Sequence, residues 1–239
     1  ERKPTSYALE ELARQGVRVE VIPGKGLGLV FARDFKAGDL VLDCEPYSSV
    51  LHSQLRETHC NECFKSANSL PSKTLLRCSG CKLAMYCSPE CQAAAWKKSF
   101  HRKECKWLAA NKDKISMYGF AASDEIDLAC RILWRREAEC KERAVASGKQ
   151  LTFSEVENLC WHKQSLHGMD GETTRRLARI ITQRSGITDF PVAELLCRMQ
   201  CNDFAVWDGL IVSVGAAVYP VGALVNHSCQ ATTVITYRS

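Results

Sequence analysis

The sequence predicts an α+β protein whose β fold is interrupted twice, first by a small metal-stapled module and then by a block of helices. Three observations predict it. Eight cysteine and histidine residues fall in four pairs between Cys60 and Cys105. Short β-branched or alternating segments lie at both ends of the chain. Between about Asp124 and Cys201, apolar residues recur at helical spacing.

The first element is a short amphipathic helix over residues 7–15, with Tyr7, Leu9 and Leu12 spaced among charges and Gly16 as its stop. Val17, Val19 and Val21 then alternate with polar residues as a half-buried strand. Pro23-Gly24-Lys25-Gly26-Leu27-Gly28 reads as a glycine-rich turn before an apolar strand, Leu29–Phe31. A second turn, Phe35-Lys36-Ala37-Gly38, leads into an expected strand Leu40–Leu42, with Pro46 as the stop. Read alone, the glycines make a hairpin turn. They are no phosphate loop, because no Gly-Lys-Ser/Thr opens a helix behind them.

The four pairs are Cys60/Cys63, Cys78/Cys81, Cys87/Cys91 and His101/Cys105. Two have the two-residue gap of a zinc knuckle, and two have the three-residue gap that puts ligands i and i+4 on one helix face. Eight ligands make two complete tetrahedral sites. A disulfide scaffold would have no use for the histidine, and about 45 residues are too few to hold together on an apolar core alone. Within the module, Ser88-Pro89-Glu90 supplies a cap, a proline at the first helical position and an acid in the first turn, starting a helix through Cys91 and Trp96. Spacing leaves open whether the pairs combine sequentially or interleave.

After the module, Ile126, Ala129, Ile132 and Leu133 mark a helix, expected to break at Ser147-Gly148. Further helices are expected near Ser154, over Glu172–Arg184 before Gly186, and over Val192–Cys201 after Pro191. The end reverts to strands: Leu210–Val214 and Ala217–Tyr219 about a turn at Gly215, then Thr232–Tyr237 beyond Asn226-His227-Ser228-Cys229.

Composition narrows the function classes. With 46% hydrophobic and 25% charged residues, the 239-residue chain is of globular type. It has no apolar run long enough for a membrane span. Fourteen cysteines beside a start without a signal-peptide core point to a reducing compartment. The seven outside the module (Cys44, Cys130, Cys140, Cys160, Cys197, Cys201, Cys229) are expected to be buried small apolar residues. Deprotonating seven thiols and adding two dications lowers the formal charge from +5 to +2, so net charge makes no case for nucleic acid. Lys97, Lys98, Arg102, Lys103 and Lys106 form a basic run that can touch phosphates weakly but reads first as a solvated helix face.

The glycine-rich turn, the Cys201-Asn202 pair, the Asn226-His227-Ser228-Cys229 segment and the metal-ligand spacing, with Tyr86-Cys87-Ser88, Cys91-Gln92 and Trp96, together resemble the SET-and-MYND (SMYD) protein lysine methyltransferases. The resemblance covers essentially the whole chain, in the family's order. It implies a SET-type β fold split by a two-zinc MYND insertion and a helical SET insertion. Residues 1–50 would be the N-terminal part of the SET domain, 51–110 the MYND finger, 111–200 the helical insertion and 201–239 the C-terminal SET core. It implies interleaved zinc sites, one of Cys60, Cys63, Cys87 and Cys91, the other of Cys78, Cys81, His101 and Cys105. It implies S-adenosyl-L-methionine held by Lys25, Gly26 and Leu27 on one side and by Asn202, Ala223, Val225, Asn226 and His227 on the other, with Glu157 as an acidic contact to the nucleoside.

The expected activity is S-adenosylmethionine-dependent N-methylation of a protein lysine, with proline-containing peptides as partners of the finger. The expected state is monomeric, cytoplasmic or nuclear, and off the membrane. The reaction needs alignment of a neutral amine with a sulfonium methyl more than acid–base machinery. In the family, a Gly-Glu-Glu-Leu-type segment, a catalytic tyrosine and a cysteine-rich post-SET segment follow. None of these stands before Ser239, and Tyr237 lies too close to Asn226 to take the tyrosine's place. The chain is therefore expected to be a fragment truncated before the end of the SET and post-SET region. No catalytic residue is assigned, and a third zinc at Cys229 would arise only in a longer chain. Gln230-Ala231-Thr232 and Ala223 depart from the family's usual residues. The alternative expectation is a non-enzymatic adaptor whose working part is the finger.

Overall fold

The computed structural model describes residues 4–111, 120–142 and 150–237. The expected break at Ser147-Gly148 lies outside them. Helix α1 (Ser6–Arg14) starts at Thr5, whose hydroxyl accepts from the Ala8 N–H, and stops at Gly16, where φ is +78°. Its buried Ala8 and Leu12 pack with Val17 and Val221. Strands β1 (Val17–Ile22) and β2 (Gly26–Phe31) form an antiparallel hairpin from Val17↔Phe31 to Ile22↔Gly26. The turn is confined to residues 23–25, so Gly26-Leu27-Gly28 belongs to the strand and not, as expected, to the turn.

The strand expected at Leu40–Leu42 does not form; residues 39–46 run without regular structure and Leu40 is exposed. The Gln15 side chain does the work of a neighbouring strand there. Its amide donates to the Asp43 carbonyl (2.8 Å) and accepts from the Asp43 N–H (2.6 Å). The strand comes later, as β3 (Ser48–Leu51).

The metal-stapled module follows, with β4 (Leu76–Arg77) paired to β5 (Met85–Tyr86), then α2 (Pro89–Lys97) and α3 (His101–Ala110). Ser88 caps α2 by accepting from the Cys91 N–H, with Pro89 at the first helical position as the sequence indicates. Helices α4 (Phe120–Glu142), α5 (Phe153–Glu157), α6 (Gly168–Ser185) and α7 (Val192–Asn202) form the helical block. Their apolar stripes, including Ile126, Ile132, Leu133, Trp134, Ile181, Leu195 and Leu196, bury each other and Val50 and Val218 of the sheet. The Trp134 indole N–H donates to the Ser185 carbonyl (3.1 Å) and so is satisfied inside that core.

Strands β6 (Asp203–Trp207) and β7 (Ser213–Val218) complete an antiparallel sheet of order β3-β7-β6. The turn between them is residues 208–212 and not Gly215. Asp208 makes that turn: its carboxylate accepts from the N–H groups of Leu210 and Val212 (both 2.9 Å), with Ile211 left-handed at φ +61°. Gly215 lies inside β7, where a Cβ would stand 2.3 Å from the Val50 carbonyl oxygen and 2.9 Å from the Phe64 ring. Gly215→Ala is expected to cost about 3 kcal/mol by overpacking against backbone, read as a fall in Tm; an unchanged Tm would mean the sheet and the finger can separate freely. Residues 232–237 are not a strand. Val234 and Ile235 are exposed, and Tyr237 instead rests 6.2 Å from the Tyr219 ring.

A hydrogen-bond tie joins three elements behind the sheet. His52 Nδ1 lies 2.9 Å from Asp124 of α4 and Nε2 lies 3.0 Å from the Ser213 hydroxyl of β7, while the other Asp124 oxygen accepts from the Ser53 N–H. Of the seven cysteines outside the module, Cys130 and Cys197 are buried as expected. Cys140, Cys160, Cys201 and Cys229 are exposed, because their positions face outward on α4 and α7 and in loops. No described helix is long and apolar enough to cross a membrane.

Candidate metal centres and cofactor cleft

The fold gathers the eight ligands into two interleaved groups: Cys60, Cys63, Cys87 and Cys91, and Cys78, Cys81, His101 and Cys105, each with ligand atoms within 4.8 Å of one another. In the first group Cys63 and Cys87 sulfurs are 3.5 Å apart and Cys87 and Cys91 3.4 Å. In the second, Cys78 and Cys105 are 3.8 Å apart, and His101 Nε2 lies 3.4 Å from Cys78 and 3.8 Å from Cys81. A zinc–sulfur bond of 2.3 Å sets a tetrahedron edge of about 3.8 Å, so these spacings and the thiolate-imidazole donors suit zinc. Interleaving follows from the β4–β5 hairpin, which carries Cys78 and Cys81 away from Cys60 and Cys63 and toward α3.

His101 is oriented from behind. Its Nδ1 lies 3.1 Å from Glu104 Oε2, one helical turn on, so Nε2 is presented to the metal. Glu104 is buried, which alone would push its pKa up. The Arg131 guanidinium, with the His101 hydrogen bond and Arg184 behind it, holds it well below the usual carboxylate range. The His-x-x-Glu-Cys spacing carried this signal in the sequence; Arg131 and Arg184, within helical patterns, did not stand out.

The glycine-rich hairpin meets the Asn226-His227 segment. Lys25 Nζ donates to the His227 carbonyl (3.1 Å), and a Cβ on Gly28 would fall 1.9 Å from the Asn226 side-chain nitrogen. The glycine therefore admits Asn226 onto the strand. Beside this junction lies a small cavity of about 30 Å³, lined by Leu27 and Ala223 together with Ala8, Glu155, Asn158 and Leu159. Val225 and His227 are exposed next to it.

Of the sequence-selected residues, Leu27 and Ala223 line the cavity, and Asn202 and Glu157 lie outside its lining. Asn202 is buried with both amide protons engaged, donating to the carbonyls of Cys160 and Arg198 (2.7 Å each). Glu157 is exposed at the end of α5, and its carbonyl accepts from Arg198. The wall is built by its neighbours. Glu155, missed in the sequence, is 5% exposed and closes a capping box with Thr152 while receiving the Thr5 hydroxyl. The Thr-x-x-Glu spacing was the signal that could have found it.

The basic run is mostly a solvated face: Lys97, Lys98, Arg102 and Lys106 are exposed, and Lys103 pairs with Glu137 of α4. The exposed Cys229 thiol lies 3.5 Å from His227 Nε2.

Comparison with known proteins adds two findings. A family model described as the MYND finger matches residues 60–105. The chain is also similar to curated methyltransferases along nearly its whole length. It is 31% identical to the N-lysine methyltransferase SMYD2-A of Danio rerio, over 94% of this chain and 49% of that protein. It is 30% identical to SMYD2 of Homo sapiens over 90% and 47%, and 28% identical to the histone-lysine N-methyltransferase ASHR1 of Arabidopsis thaliana over 92% and 44%. The chain spans about half the length of the curated relatives it matches.

Proposed function

The chain belongs to the SET-and-MYND (SMYD) family, and on that premise we propose that it carries the S-adenosylmethionine-binding part of a protein-lysine N-methyltransferase together with a two-zinc MYND finger. The observation that supports this reading most is the junction of the glycine-rich strand with the Asn226-His227 segment, in a chain whose relatives are named as lysine methyltransferases.

The residues present suit the cofactor in part. Lys25, Gly26 and Leu27 on the hairpin would face Ala223, Val225, Asn226 and His227 across the cleft, offering amide and carbonyl groups to a zwitterionic amino-acid end and apolar walls to a nucleoside. Gly26 has open space beside it. The enclosed volume of about 30 Å³ is far below the ~300 Å³ of a small-molecule pocket, so most of a bound cofactor would lie over the open face of the junction. S-adenosylmethionine supplies an electrophilic methyl group when bound. The chain's own part is to orient it and to keep water from the apolar wall formed by Leu27, Leu159 and Ala223. Asn202 acts one step back, holding Cys160 and hence the Asn158-Leu159 wall.

Gly28→Ala separates this role from folding. The strand dihedrals tolerate alanine, so the cost in stability is about 1 kcal/mol, but the new methyl displaces the Asn226 amide. Binding of S-adenosylhomocysteine to the zinc-loaded chain, read by calorimetry, should weaken at least tenfold in this variant. Binding undiminished in folded Gly28→Ala protein would remove the junction from the site.

The adaptor reading is favoured by one observation, the exposed Trp96 on α2 beside the finger's second centre. An exposed indole suits proline-containing peptides. It predicts peptide binding that survives Gly28→Ala and is lost with zinc.

A further inference from the structure

The second metal centre differs from the first in what stands behind it. His101, its one nitrogen ligand, hydrogen-bonds Glu104, and Glu104 is gripped from outside the finger. Arg131 of α4 donates to it from Nε and Nη2 (3.1–3.3 Å), and Arg184 of α6 stands 4.0 Å away. The same Arg131 donates from Nη1 to the Ser49 carbonyl on β3 (2.8 Å), the strand that pairs with β7. Arg184 in turn pairs with Asp127 of α4, which also receives Arg56, and its guanidinium lies 3.9 Å above the Trp107 ring of α3. The side chains of Glu104, Asp127, Arg131 and Arg184 are all at most 6% exposed. The first centre, by contrast, is made of four thiols and has no imidazole for a carboxylate to hold.

We propose that the second centre is completed by the helical block: Arg131 and Arg184 act through Glu104 as positioning residues for His101, so that zinc binding there and the packing of α4 and β3 against the finger are one coupled equilibrium, while the first centre binds its zinc independently. The physical reason is the low dielectric around Glu104. Without Arg131 its carboxylate is a buried charge lacking its main partner. Freed from that grip, the Glu104 side chain swings out of line, and His101 loses the acceptor that fixes its ring and tautomer. Loss of zinc acts in the opposite direction. His101 is released, α3 loses its anchor, and the Glu104–Arg131–Ser49 connection loosens from the finger side. Reciprocity is required, since a coupling that lets α4 strengthen zinc binding must let zinc strengthen the seating of α4 by the same factor. The inference concerns the chain's two metal sites and is independent of whether it transfers methyl groups.

Two measurements on the zinc-loaded chain test it. In a competition titration against a chromogenic chelator, Glu104→Gln and Arg131→Met should each weaken one of the two zinc ions by about 10–100-fold and leave the other unchanged. In amide hydrogen exchange, Cys78→Ser should speed exchange in α4 and β3 as well as in the finger, whereas Cys91→Ser should act within the finger alone. Equal zinc affinities in wild type and both variants, or the same α4 response to Cys78→Ser and Cys91→Ser, would overturn the proposal. Should Arg131→Met fail to fold, the near-isosteric Glu104→Gln and the two cysteine variants still decide it.

Discussion

Stripping both zinc ions with a tight chelator is expected to unfold residues 60–105, seen as complete loss of amide protection across the finger. The reason lies in what the finger has for a core. Its buried cluster is Cys60, Cys78, Cys81, Ala84, Tyr86, Ala95, Cys105 and Leu108, so half of its members are the thiol ligands themselves. Beyond Tyr86 and Leu108, little large apolar surface is enclosed. A module of this size cannot offset the entropy of ordering its backbone without an added constraint. Structural zinc supplies about 10–16 kcal/mol per site in small fingers near neutral pH, comparable to the total stability of a typical domain. Protection retained after full removal of the metal would mean that packing against α4 and β7 alone holds the finger.

The second large effect belongs to a residue that touches neither metal nor cleft. Asp127→Ala is expected to destabilise the protein by about 3–5 kcal/mol, a fall in Tm of roughly 10 °C for a chain of this size. Asp127 is 3% exposed and receives two guanidinium groups, from Arg56 beyond β3 and from Arg184 on α6. Truncation leaves both cations facing a gap in the interior. Adding Arg184→Met to Asp127→Ala should recover part of the loss, because removing a buried pair together costs less than removing one partner. Strict additivity of the two changes in chemical unfolding would show that the pair is not coupled.

How much of this was legible in the sequence follows from how local each cause is. Metal ligands must be near one another along short loops, so the four pairs could be read from spacing. Caps and stops are equally local, which is why Ser88-Pro89, Gly16 and Gly186 placed helix ends within a residue or two. What failed was decided by distant groups. Leu40–Leu42 has strand composition, but Gln15 satisfies the Asp43 backbone in place of a neighbouring strand. Gly215 looked like a turn because glycine usually marks one; its cause is the approach of Val50 and Phe64, more than 150 residues earlier in the chain.

The same limit applies to the sites. Arg131, Arg184 and Asp127 sit in sequence patterns that read as the charged face of a helix, and their burial depends on pairing across three helices. In the cleft, Lys25, Gly28, Leu27, Ala223 and Asn226 are brought together by contact of the hairpin with the chain beyond β7. Asn202 and Glu157, carried over by resemblance, are not among the residues lining the cavity, and the Asn202 amide is bonded to Cys160 and Arg198.

The most direct test of the central claim is a calorimetric titration of the zinc-loaded chain with S-adenosylhomocysteine, beside Asn226→Ala. The account predicts saturable one-to-one binding in the wild type and its loss in the variant, with both proteins carrying two zinc ions and the same Tm within a few degrees. Binding that is unaltered in Asn226→Ala, or no binding by a folded two-zinc wild-type chain, would contradict the placement of the cofactor site at the junction of the glycine-rich strand and the Asn226-His227 segment.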